Sequence, residues 1–304
     1  MKVPLVLAAL LLSALSVFAQ PCVDSAKQVK PELSESAAQT YNANLAVARE
    51  AYNRNSNVAE EMIWFGRRTA YLGEYKEAIR IFSEGIRKFP NDARFYRHRG
   101  HRYITLRCFD DAIKDFERAA RMIKGKPDEV EPDGMPNARN IPTSTLQSNI
   151  WYHLGLAYYL KGDFRRAERA YQQAWEVSKN NDMRVATAYW QYMTLRRMGK
   201  AKEAAKVIEP FSGEIEVIEN EDYLKLIRLN RGEAKAEELL SSIGGESKSL
   251  GSASLGYGLG NFFLYNGDRA KAIEIFRKVT AGDQWASFGY VAAEAELRRL
   301  QPGK

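Results

Sequence analysis

One spacing recurs along this chain with enough regularity to constrain its architecture. Leu72-Gly73-x-Tyr75-x-x-Ala78-x-x-x-Phe82 is followed by Leu106-Arg107-x-Phe109-x-x-Ala112-x-x-x-Phe116. Gly162-x-Phe164-x-x-Ala167-x-x-x-Tyr171 repeats it, and Gly199-x-Ala201-x-x-Ala204-x-x-x-Ile208 repeats it more weakly. Further units centre on Gly232 and Gly267, so the intervals between turn positions are 34, 55, 37, 33 and 35 residues. A unit of that length cannot bury an apolar face alone and has to stack on its neighbours.

Each strong unit also carries a first-helix half. Gly66, Gly100, Gly155 and Gly260 each stand seven residues before a turn position. Small residues there let two antiparallel helices approach closely, while the aromatic and leucine positions fill the layer between hairpins. These residues identify a resemblance to the tetratricopeptide repeat family, strong over 59–123 and 148–178, weaker over 185–245 and recovering near 253–280. The resemblance implies an all-α fold, a right-handed superhelical solenoid of antiparallel helix hairpins. The block YWQYMTLRRMGKAKEAAKVI loosely resembles bacterial cell-envelope repeat proteins of the NlpI kind.

The reading divides the chain into six parts: a secretory signal peptide over 1–19, an N-terminal segment and capping helix over 20–58, and repeats 1 and 2 over 59–123. An inserted loop spans 124–147, repeats 3 to 5 span 148–245 with the last two degenerate, and a final repeat with a capping helix spans 246–304. Glu35 to Asn53 and Gln284 to Leu300 carry apolar residues at helical spacing, as the ends of a solenoid require. Asn57 and Glu60 are expected to form a capping box, and Pro90 to end a helix with Asn91 or Asp92 starting the next. The broken interval adds about 21 residues, in Lys124 to Ser144, with four prolines and two glycines. It reads as a loop, a binding or regulatory element that folds back over the groove or a disordered one. Ser212 to Asp222 has no clear period.

The first residues, MKVPLVLAALLLSALSVFAQ, place one lysine before an apolar run and end in an A-x-A-like site. An exported chain is expected, in a bacterial periplasm or outside the cell, with an uncleaved membrane anchor as the alternative reading of that segment. The formal charge of +7 becomes +6 without Lys2, and nucleic acid is a poor partner for an exported protein without a lysine-rich tail. Cys22 and Cys108 are the two cysteines. An oxidising compartment permits one bridge between them, and two free thiols stay open as the alternative.

Catalytic motifs do not emerge. Gly256-Tyr257-Gly258-Leu259-Gly260 lacks the lysine and preceding strand of a phosphate loop and fits a first helix instead. His98 and His101 share a helix face but lack a ligand set, so neither a metal nor another cofactor is expected. The expectation is a binding protein, not an enzyme. By the family resemblance, the concave groove is lined by Arg67 and Tyr71, then Arg94, Arg97 and His101, then Tyr152, Leu156 and Tyr159, then Tyr189, Met193, Arg196 and Arg197. That order runs from basic through aromatic to basic, which suits a protein or peptide partner of acidic character. Ile63 and Arg67 depart from the family's terminal-carboxylate clamp. The leading reading is an exported protein–protein interaction scaffold. Two alternatives are an adaptor or regulator of envelope proteases or cell-wall hydrolases, and a polysaccharide or cell-wall binding module. A homodimer through the solenoid ends or the loop stays open.

Overall fold

A computed structural model describes residues 21–245 and 251–301; the expected signal peptide lies outside them. Among the described residues the chain is all helix and loop, apart from one isolated bridge between Val130 and Thr145. A short α1 (Pro21–Ser25) and the long α2 (Glu35–Arg54) precede the hairpins α3 (Ala59–Tyr71) with α4 (Tyr75–Lys88) and α5 (Ala93–Thr105) with α6 (Phe109–Ile123). After the insertion come α7 (Leu146–Lys161) with α8 (Phe164–Val177), and α9 (Asn181–Arg197) with α10 (Ala201–Ile208). The smaller pair α11 (Glu221–Asn230) and α12 (Ala236–Ser242) precedes α13 (Ala253–Tyr265), α14 (Arg269–Thr280) and the terminal α15 (Phe288–Leu300). From α2 to α10 and again from α12 to α15, each helix packs on the next, giving a solenoid of antiparallel hairpins.

The turn positions read from the sequence have a common backbone cause. Gly73, Gly162, Gly199, Gly232 and Gly267 all have positive φ, between 73° and 90°, and Arg107 has φ 64°. A left-handed residue ends the first helix and reverses the chain in the fewest residues. The first-helix glycines serve closeness instead. A Cβ added at Gly66 would lie 2.4 Å from Phe82, at Gly100 2.9 Å from Phe116, at Gly155 2.7 Å from Tyr171 and at Gly260 2.3 Å from Phe276. Each ring is completely buried beneath its hairpin, a gain of ~1.5–3 kcal/mol per side chain.

The ends differ in detail from the expectation. α2 packs on α3 through Tyr52 stacked on Phe65 at 5.3 Å. The Asn57–Glu60 capping box is not formed: α3 has Val58 at its N-cap, without a side-chain bond. Glu60 is drawn instead to Arg94, at 2.7 Å. α4 ends at Lys88 before Pro90, and Asp92 caps α5 by accepting from Arg94 N. Ser212 to Asn220 is a loop, held by buried Asp182, whose carboxylate accepts backbone N–H bonds from Ile218, Glu219 and Asn220 at 2.7–3.0 Å. Cys22 is bonded to Cys108, with a Cα–Cα separation of 5.8 Å, tying α1 to the N-cap of α6.

Candidate functional site

The concave positions of α3, α5, α7 and α9 come together, yet much of that face is occupied by the chain itself. Two segments cover it. From the C-terminal side, Trp285 stacks against Tyr75 at 6.1 Å, and Phe288 contacts the rings of His101 and His153 at 5.2 and 5.3 Å. Arg107 donates to Glu294 at 2.7 Å and to the Trp285 carbonyl at 2.9 Å, its guanidinium 3.9 Å from the Trp285 ring centre. Further along α15, Glu296 is completely buried between Arg197 and Arg299, and Arg299 donates to the carbonyls of Tyr159 and Leu160. The hydroxyls of Tyr159 and Tyr257 are 2.8 Å apart.

The second segment is the insertion between α6 and α7. It runs back over α3 and α5: the Pro132 carbonyl accepts from Arg67 and the Gly134 carbonyl from Arg68, both at 2.7 Å. Gly134 lies so close to Tyr71 that a Cβ there would stand 1.7 Å from the hydroxyl. Buried Glu131 places its carboxylate 2.9 Å from Arg97 Nε and accepts from Asn149 Nδ2 at 3.2 Å. Farther on, Asn137 and Thr143 bond Glu219, and Arg139 pairs with Glu216. The expectation that this loop folds back over the groove describes its path.

These two covers, together with α11 and α13 on α9, where Tyr223 stacks on Tyr189 and Asn261 and Tyr265 meet Met193, alter the role of the expected contact residues. Tyr152, Leu156, Tyr159, Tyr189 and Met193 are 6%, 0%, 0%, 1% and 0% exposed. They are packing residues in this arrangement, and the Tyr152 and Tyr189 hydroxyls are pushed well up because burial disfavours the phenolate. Arg97 is buried on Glu131, and Arg94 forks onto Asp92 and pairs with Glu60. Arg196 donates to the Tyr192 hydroxyl and the Tyr265 carbonyl, and Arg197 to Glu296. The basic–aromatic–basic order is therefore largely satisfied inside the molecule.

On the opposite face of α7 lies a surface cleft in which Gln147 and Trp151 are part-exposed, over Leu154 and Tyr158, each 4% exposed. Gln147, Trp151, Leu154 and Tyr158 recur at helical spacing and, at ~100° per residue, point away from Tyr152, Leu156 and Tyr159. They floor a cleft of about 770 Å³ walled by Glu117, Ala120, Arg121 and Lys124 from the α6 side, and by Arg166, Arg169, Ala170, Gln173 and Val177 from α8. Arg121, Lys124, Arg166 and Arg169 are exposed on its rim, with Glu117 the acid in the lining and Arg166 paired with Asp163 at 2.6 Å. The Arg166 guanidinium sits 4.8 Å from the Tyr158 ring, and the Tyr158 hydroxyl donates to Glu117. Trp151 had a signal in the sequence, as the large residue ahead of Leu154-Gly155; the cationic rim had none, because its residues come from two separate helices.

This stretch is also where the comparisons fall. Residues 148–181 match the family profile of the tetratricopeptide repeat. The α7–α8 hairpin thus matches a tetratricopeptide repeat, and it stands within an all-helical hairpin solenoid. No curated protein matches the chain. Among solved structures, YrrB, described as a TPR protein with an unusual peptide-binding site, is 18% identical, with 82% of this chain and 97% of that one covered at a TM-score of 0.43. A MamA structure is 13% identical, with 67% and 99% covered at a TM-score of 0.45. Neither score reaches 0.5. No helix among the described residues is long and apolar enough to cross a membrane.

Proposed function

We propose that this protein is an exported interaction scaffold that binds a partner protein through the cleft between α6, α7 and α8. The observation that carries the reading is the pairing of the part-exposed Trp151 ring, backed by buried Leu154 and Tyr158, with four cations on the rim. A short peptide segment with an aromatic or leucine anchor flanked by aspartate or glutamate suits that surface: the anchor supplies buried area, and the flanks meet the guanidinium forks. Export is proposed from the N-terminal lysine and apolar run, and the Cys22–Cys108 bridge supports an oxidising compartment.

A displayed random-peptide library tests this directly. Enriched peptides are expected to carry an apolar anchor with acidic neighbours and to bind more weakly as salt is raised. Arg166→Glu with Arg169→Glu changes exposed side chains only and is expected to weaken the best peptide at least tenfold in fluorescence anisotropy. Equal binding by that variant, or enrichment of peptides without acids, would remove the cleft as the site. Self-association of the purified chain that is blocked by the same double variant would assign the cleft to a second copy instead.

A further inference from the structure

Beneath the insertion, between α3 and α5, lies a cavity of about 100 Å³ lined by Arg67, Tyr71, Arg97, His98, His101, Arg102 and Glu131. Its charge is unbalanced. Three guanidiniums face one carboxylate, with Asp133 the further acid near Arg67. Among the described residues Arg102 has no carboxylate against it: it contacts His101 Nδ1 at 2.6 Å and lies 5.8 Å from the Tyr75 ring centre. Burial, together with the neighbouring Arg97 and Arg67, brings its pKa down to about 10, with the Tyr71 and Tyr75 hydroxyls acting in the opposite direction. Arg97, 8% exposed, stands within ion-pair distance of Glu131, but its Nε–H lacks hydrogen-bond alignment with any acceptor.

The imidazoles do not add to this charge; their form follows from their neighbours. Arg97 Nη1 is 3.1 Å from His98 Nδ1, and Arg102 Nη2 faces His101 Nδ1. Guanidinium nitrogens only donate, so both Nδ1 atoms accept, and the ring proton of each neutral histidine sits on Nε2. Burial and adjacent arginines hold both rings well below the usual imidazole range. The pocket is therefore hostile to a metal cation and rich in donors.

We propose that this cavity binds one small free oxyanion of the phosphate or sulfate class. A water needs ~10–15 Å³ of such space, so the volume accommodates several waters or one compact anion. Guanidinium forks bond oxyanions in pairs, and a partly enclosed, low-dielectric site strengthens each contact. The roof is the Glu131–Gly134 stretch, so an anion inside would also hold the insertion against α3. This site is independent of the α6–α8 cleft.

The test is calorimetric titration of the full mature chain with inorganic phosphate and with sulfate against sodium chloride of matched ionic strength. One saturable site per chain is expected, with slower amide hydrogen exchange over residues 131–135. Phenyl phosphate, too large for the cavity, and acetate, lacking the tetrahedral oxygens, are expected to bind at least tenfold more weakly. Arg102→Gln is expected to abolish binding, and Arg67→Gln, placed at the half-buried rim, to weaken it at least tenfold. Should Arg102→Gln fail to fold, Arg67→Gln decides alone. Chloride acting as well as phosphate, acetate or phenyl phosphate binding equally, or wild-type binding in a folded Arg67→Gln would each overturn the proposal.

Discussion

Arg107 occupies the position that glycine fills at the other five turns of the repeat ruler, and it takes the same left-handed backbone at φ 64°. For a residue with a Cβ that conformation costs ~1–2 kcal/mol. Its side chain explains the exception, because it bonds Glu294, the Trp285 carbonyl and the Trp285 ring across the molecule. Arg107→Gly is thus expected to lower stability by ~1–3 kcal/mol despite the easier backbone, since charge-assisted bonds are lost; a urea midpoint that rises would show that the closure contact contributes nothing. His153 makes a second residue-scale case. Burial foremost, then Arg97, takes its pKa down to about 3, although its contact with the Asn149 carbonyl acts the other way. The folded value is below the unfolded one of ~6.5, so the unfolded chain binds the extra proton. The stability from the neutral ring is present above pH ~6.5 and is lost as pH falls toward 3. Wild-type protein is expected to lose stability between pH 7 and pH 4 more steeply than His153→Gln, measured by urea unfolding across that range. Parallel slopes would place the acid sensitivity elsewhere.

At the scale of elements, α15 and the insertion set what the solenoid can offer a partner. Glu296 is wholly buried between Arg197 and Arg299. Removing one member of a buried charge cluster costs ~3–5 kcal/mol, because the remaining charges stay desolvated. Glu296→Gln is expected to fall in that range and to speed hydrogen exchange in α15 more than in α4, and an unchanged α15 would show that the helix is held by its apolar side alone. The hairpin elements were legible because their signals are local: glycine seven residues before a turn, alanine five after it, an aromatic nine after it. The role of α15 was not. Its apolar spacing announced a terminal helix, but nothing in that spacing says that Glu294, Glu296 and Arg299 meet Arg107, Arg197 and Tyr159. The insertion was legible as a loop from its prolines, whereas the seating of Glu131 on Arg97 depends on two segments 34 residues apart coming together.

Across the whole molecule, the Cys22–Cys108 bond spans 86 residues and fastens the N-terminal segment to the second hairpin. A loop of that length gives ~4–5 kcal/mol in the chain-entropy description, and removal of native bridges commonly costs ~2–5 kcal/mol. The Cys22→Ser, Cys108→Ser double variant is expected to lose stability in that range, and added reductant to do the same to wild type but nothing to the variant. A reductant effect on both would place its action outside the bond. Repetition at a near-constant period determined, from residues alone, that this chain is a stack of antiparallel helix hairpins and where each turns, since those requirements act within one hairpin. Which face remains open was decided only by the tertiary structure. The concave tyrosines and arginines have the residue types of a binding groove, but α11, α13, α15 and the insertion of the same chain cover most of them. The open surface passes to the other side of α7, where the part-exposed Trp151 lies between cations supplied by two neighbouring helices.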